Sequence, residues 1–209
     1  VAFHFKKASS VAIGTFNIYI IQPAWMVKVG ILPPGTEVAI EANMTRPGFR
    51  ISSPTLKSVW YVAPGKLALE TVDESEDCGR LMSEVLRRLP VTPVFGIANN
   101  IVFEGNVEDA EGLPVFRSCK TAVSSPQAYV ERERVFASSF GRDNRAFNLR
   151  LAIEGSIVAL SGNAHTDLGQ EGSAAEAAVT AESFVADKRE LSLLFEKVFG
   201  AKLNVASHV

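Results

Sequence analysis

Ser58-Val-Trp-Tyr-Val-Ala63, Pro64-Gly65, Lys66-Leu-Ala-Leu-Glu-Thr-Val72 is the stretch on which the reading of the fold turns. Two runs rich in β-branched and aromatic residues flank a Pro-Gly turn, the pattern of an antiparallel hairpin. The acidic segment Asp73-Glu-Ser-Glu-Asp77 follows, and Leu81, Met82, Val85, Leu86 and Leu89 then recur at helical spacing. Pro90 ends that helix, and Val94 to Phe103 reads as another strand. The unit is strand, turn, strand, helix, strand. Its residues are accounted for by packing, with no catalytic motif among them.

Toward the N-terminus, Phe16-Asn-Ile-Tyr-Ile-Ile21 and Trp25-Met-Val-Lys-Val-Gly-Ile31 carry strand-type composition and are predicted as two strands joined at Gln22-Pro23. In the second, Trp25, Val27, Val29 and Ile31 would share one face opposite Met26 and Lys28. A membrane span over Phe16 to Leu32 is disfavoured: Lys28 costs roughly 2.5–3.5 kcal/mol on insertion scales, and Pro23 interrupts a helix. Pro33-Pro34-Gly35 is turn chemistry, Thr36 to Glu41 a further strand candidate, and Phe49 to Ser52 leads into the hairpin.

Residues 105 to 128 carry Gly105, Gly112, Pro114 and Pro126 without periodicity and read as an irregular connection, either a binding loop or a plain surface excursion. The hairpin logic then repeats. Glu133 to Phe140 forms a strand, Gly141-Arg-Asp-Asn-Arg145 a turn, and Phe147, Leu149, Leu151 and Ile153 alternate with polar or small residues. Ile157 to Thr166 returns after Glu154-Gly155-Ser156. An alanine-rich stretch, Ala174 to Ala181, leads into a last helix with Phe184, Leu191, Leu194, Phe195 and Val198 as its apolar stripe, its charged residues, Asp187 included, set elsewhere, and Gly200 as its stop.

The expected fold is α+β: antiparallel sheet built from hairpins, a central helix near 78–89 and a long C-terminal helix. The expected organisation is a β-rich half over 1–104, the connection 105–128, and a hairpin plus helix over 129–209, in one continuous domain. The strands predicted at 16–21 and 25–31 are apolar on both faces. Two or three helices are too few to cover so much sheet, which predicts a homo-oligomer or a protein partner.

At 209 residues and 47% hydrophobic content the chain can bury a substantial core. A net charge of -2 supplies no electrostatic footprint for nucleic acid. Two cysteines, Cys78 and Cys119, do not make a disulfide scaffold, which favours a reducing compartment. The opening Val1-Ala-Phe-His-Phe-Lys-Lys7 lacks the order of a secretory leader. The expectation is a cytoplasmic protein with no cofactor, no bound metal, no membrane and no nucleic acid.

Candidate site residues are few. Asn163, His165 and Asp167 fall on one face of a strand, where a histidine beside a carboxylate and an amide can serve as a general base; the alternative is an ordinary solvated face. Cys78 opens a helix, but Asp73, Glu74, Glu76 and Asp77 oppose thiolate formation. Cys119, near Arg117 and Lys120, has a more activating neighbourhood without an adjacent histidine. Arg132, Arg134, Arg142 and Arg145 cluster around one strand and turn, a patch suited to an acidic peptide, a phosphate or RNA, although Glu131, Glu133 and Asp143 interleave with it and favour a solvated, internally paired face. There is no Gly-x-Ser-x-Gly, no phosphate loop and no dinucleotide fingerprint.

In outline, several antiparallel strands before C-terminal helices, the order resembles export chaperones of the SecB type. The hairpin followed by a long C-terminal helix also looks like helix-grip ligand-binding domains. Both likenesses are of outline alone. The leading expectation, drawn from the two-sided apolar strands and the lack of a catalytic constellation, is a non-enzymatic cytoplasmic protein that oligomerises through its sheet and binds other proteins as an adaptor, chaperone or assembly component; the second is a binder of a small apolar ligand in a cavity between the sheet and the last helix. A hydrolase or transferase using His165 and Asp167 is the third reading.

Overall fold

The computed structural model describes residues 3–42, 47–53, 55–110, 112–115 and 133–204. One sheet runs through both halves of the chain, in the order β2-β3-β4-β5-β1-β6-β9-β8-β7. Its strands are β1 (Phe3–Gly14), β2 (Ala39–Ala42), β3 (Phe49–Ser52), β4 (Ser58–Ala63), β5 (Lys66–Thr71), β6 (Val94–Asn106), β7 (Glu133–Arg142), β8 (Arg145–Glu154) and β9 (Ile157–Asp167). All of these pair antiparallel, and a short β10 (Leu203–Asn204) lies parallel on β1. The helices are α1 (Pro23–Lys28), α2 (Cys78–Arg87), α3 (Val107–Ala110), α4 (Ala174–Ala181) and α5 (Phe184–Phe199). The α+β class, the antiparallel sheet and the C-terminal helix are as the sequence predicts.

The long central strands β1 and β6 divide the sheet into two like halves. Each half runs long strand, insertion, three antiparallel strands, helix: β1, β3, β4, β5, α2 in the first, and β6, β7, β8, β9, α4–α5 in the second. The registers line up accordingly. Across the inner face one row reads Ile40, Ile51, Trp60, Leu69, Ser10, then Asn99, Ala164, Phe147, Phe140. Ser10 faces Asn99 at the centre, Trp60 corresponds to Phe147, and Ile51 to Phe140.

The inner face carries the core in two clusters. Trp60, Val62, Leu67 and Leu69 pack with Met82, Val85 and Leu86 of α2 and the alanines of α4. Leu149, Leu151, Val158 and Leu160 pack with Leu191, Phe195 and Phe199 of α5. Ser173 caps α4 and forms a reciprocal pair with Glu176, satisfying two end amides at once. Asp77 accepts the Arg80 amide at 2.9 Å to start α2, and Gly200, left-handed at φ 72°, closes α5.

Residues 16–31 differ from the two-strand expectation. Pro23 occupies the first turn of α1, where its missing N–H is no loss, and the Met26 and Val29 amides donate to the carbonyls of Gln22 and Trp25. Met26, placed by strand alternation on the face away from Trp25, is the fully buried residue, and Trp25 only packs against the cluster's edge. With these strands gone, so is the argument that two-sided apolar strands must be covered. Strand β1, by contrast, had no counterpart in the reading of the sequence.

Helix α2 approaches the α4–α5 junction closely at Gly79. A Cβ there would fall inside contact distance of the Ala181 carbonyl oxygen and the Phe184 Cβ. Gly79→Ala is therefore expected to destabilise the fold by roughly 1–3 kcal/mol despite its better helix propensity. Urea denaturation of the two proteins measures this, and an unchanged or raised midpoint would contradict the packing.

Candidate functional site

With α1, α2, α4 and α5 all on the inner side, the outer face of the sheet carries mostly exposed or half-exposed side chains among the described residues, Ala68 and Ala152 being buried between their neighbours. Its organising feature is a row of amides and hydroxyls crossing five strands. Ser139 Oγ donates to Asn148 Oδ1 at 2.7 Å, and Asn148 Nδ2 to Asn163 Oδ1 at 3.2 Å. Asn163 Nδ2 donates to Asn100 Oδ1 at 2.7 Å, and Asn100 Nδ2 to Ser9 Oγ at 3.0 Å. Each pair is directly opposed in the strand register, so the spacing between strands brings neighbouring side chains within hydrogen-bond reach. The bonds run head to tail in one direction, so each polarises the next. Every asparagine in the row keeps a further amide hydrogen and lone pair for a ligand.

This row crosses the floor of a groove of about 630 Å³, lined by Asn100, Asn148, Asn163, Ser139, Ser161 and Arg150 among others. The lining is mostly neutral and small in side chain, with Val102, Ala137 and Leu149 supplying apolar surface between the amides and hydroxyls. A surface of that kind offers donors and acceptors to polar partners such as a polypeptide, with little selection by charge.

The candidates from the sequence distribute around this groove. Asn163 is in the row. His165, half-buried, stands on the same face one row along, between Ala98 and Ala146 of the adjoining strands. Asp167 accepts the Gly169 amide at 2.8 Å and so closes the turn after β9. Arg142 ends β7 opposite Arg145. Arg134 lies in β7, while Cys119 and Arg132 lie outside the described residues. Cys78 is fully buried, and burial first, then Glu76 and Asp77, pushes its thiol up to about 12. Among the described residues no three His, Cys, Asp or Glu side chains converge for a metal ion, and no helix is long and apolar enough to cross a membrane.

Arg145 turns away from the outer face into a polar cluster buried under the sheet. Its guanidinium pairs with Asp187, which is 1% exposed. Asp187 also accepts Asn99 Nδ2 at 2.8 Å and Ser183 Oγ at 2.9 Å, and Asn99 Oδ1 accepts Ser10 Oγ at 2.9 Å. Asp187 thus sits on the inner side of α5, not with the charged outer residues as its polarity suggested. The signal was available: it lies three residues after Phe184 and four before Leu191, on the apolar stripe.

No protein-family model matches this chain, and no curated protein matches it in sequence. The groove and the buried cluster therefore stand on their own geometry.

The two networks are expected to respond differently to truncation. Asp187→Ala leaves Arg145 and Asn99 without their buried acceptor and should cost about 3–5 kcal/mol. Asn163→Ala breaks two half-exposed bonds whose partners can turn to water, at about 1 kcal/mol or less. Equal losses in denaturant titrations would refute this division. Cys78 adds a pH signature: between 9 and about 12 the unfolded chain loses the thiol proton while the folded one keeps it. Stability therefore falls with rising pH across that window. Cys78→Ala should flatten the alkaline slope relative to the wild type, and identical slopes would deny the thiol this role.

Proposed function

We propose that the protein is a non-catalytic, self-associating binding protein that receives partner polypeptides on the outer face of its sheet, in an adaptor, chaperone-like or assembly role. The observation that carries this reading is the asymmetry of the sheet. Among the described residues, four helices pack on one face, and the other presents a groove with Ser139, Asn148, Asn163 and Asn100 in its lining, tied in a row that continues to Ser9. Tyr61, Ile13 and Val135 are large exposed side chains on that same face, so the surface combines polar specificity with scattered apolar contact area, as non-obligate interfaces do.

The polar groups here suit recognition better than bond breaking. The row ties its members to one another in a line, and Asp167 is engaged with its turn. A groove lined by short side chains admits an extended segment close to the strands, where the spare amide hydrogens and lone pairs meet backbone groups.

The test is a pull-down of the tagged protein from its native extract, run beside Asn148→Arg/Ser161→Arg and a control, Val185→Arg, on the exposed side of α5. A polypeptide held in stoichiometric amount, reduced roughly tenfold by the groove variant and kept by the control, is the expected result. The same captured set from all three proteins would refute the groove as the binding surface.

A further inference from the structure

We infer that the depression around Arg50 and Tyr61 is a second subsite of the outer face, which takes a carboxylate side chain of the polypeptide lying in the groove. This deepens the proposed function and rests on it. Its basis is the correspondence between the two halves of the sheet. Because Trp60 corresponds to Phe147 and Ile51 to Phe140, their outward neighbours Tyr61 and Arg50 stand where Asn148 and Ser139 stand in the second half. Further along the strands, Lys66 takes the place of Ser161 and Ala63 that of Arg150. The second-half residues line the groove of about 630 Å³, and their first-half counterparts line a smaller depression of about 280 Å³. The sheet thus repeats one concavity at two equivalent places, with different side chains in each.

The lining sets what each concavity can hold. Where the groove presents amides and hydroxyls, the depression presents Arg50 and Lys66, with the Arg50 guanidinium 5.9 Å from the centre of the Tyr61 ring. Glu41 of β2 shows how a carboxylate meets this arginine: both of its oxygens accept from one terminal nitrogen, at 3.2 and 3.1 Å. Lys66 is exposed and makes no ion pair among the described residues. With Glu41 set against the two cations, the depression keeps one positive charge in excess, which suits an incoming carboxylate. The path from there to the groove runs over Ala68, Val11 and Ala98, low side chains opposed in register on the outer face. Five strand spacings separate Tyr61 on β4 from Asn148 on β8, about 24 Å, which an extended chain crosses in roughly seven residues. The acid is thereby set at a fixed distance from the segment in the groove, and the unlike linings give the bound chain one direction.

The probe is a display library of random peptides of about sixteen residues, selected against the immobilised full chain. The wild type is expected to enrich Asp or Glu about seven positions from an uncharged polar segment. Replacing that acid by its amide in a synthesised peptide should weaken binding roughly three- to tenfold in a fluorescence titration. Glu41→Arg/Arg50→Glu keeps the β2–β3 ion pair with its polarity reversed, and adding Lys66→Glu reverses the charge of the depression. That triple variant should select Lys or Arg at the same position while keeping the polar segment, and the kept segment shows that it is folded. An acidic preference that persists in the triple variant, or a selected set with no charged position, overturns the subsite alone. Selected peptides that bind Asn148→Arg/Ser161→Arg as tightly as the wild type, or no enrichment at all, overturn the groove reading and the subsite with it.

Discussion

The antiparallel seam between β1 and β6 is the constraint on which the other contacts depend. It is among the longest ladders in the sheet, running from His4 opposite Glu104 to Gly14 opposite Val94, and it joins chain segments that are far apart in sequence. Neither half closes without it, because each half ends on one of these strands. Loop-closure entropy is spent before such a pairing gains anything, so the seam must be specified by more than backbone hydrogen bonds. A slip of one residue would turn every side chain of a strand to the other face.

The buried polar cluster supplies that specification. Ser10 and Asn99 meet in the middle of the seam, and Asp187 reaches from α5 to hold Asn99 while Arg145 of β8 neutralises it. Replacing such a group by well-packed apolar residues is often neutral or stabilising, so its contribution is not chiefly to stability. Its effect is to penalise alternatives: in a slipped register Asn99 or Asp187 would be buried without a partner. One helix and three strands, β1, β6 and β8, are thereby fixed relative to one another by four side chains.

How much of this was legible follows from the range of the interactions. The hairpin 58–72, the strands 145–167 and the helices near 78–89 and 184–199 declared themselves because their signals are local: alternation, helical spacing, turn residues and caps. Strand β1 was missed because its inward positions include Ala8, Ser10 and Ala12, small or polar residues that give no apolar alternation, and because the register shifts at Lys6. Residues 16–31 misled through composition, since β-branched residues around Pro23 suit a short helix once tertiary packing buries Met26. Of the outer row only Asn163 was picked out; Asn100 and Asn148 gain meaning only when the sheet order brings them beside it. The pairing of Arg145 with Asp187 spans 42 residues and two elements, and no spacing rule encodes it.

The two faces of the sheet solve opposite problems with the same register. Inward, odd positions of β8 and even positions of β9 deliver Leu149, Leu151, Val158 and Leu160 to the core. Outward, the alternate positions deliver Asn148, Arg150, Ser161 and Asn163 to the groove. A sheet open to water on one side normally carries long charged side chains there, which shield its surface. Over this groove the side chains are mostly short, and the amides spend part of their hydrogen-bonding capacity on one another. That leaves the strands near the surface and the row pre-ordered, so a polypeptide arriving there would lose its own freedom but need not organise the site. The pre-ordering is inherited from the seam: Asn100 projects outward next to Asn99, and the residue that locks the core register also fixes where the row stands.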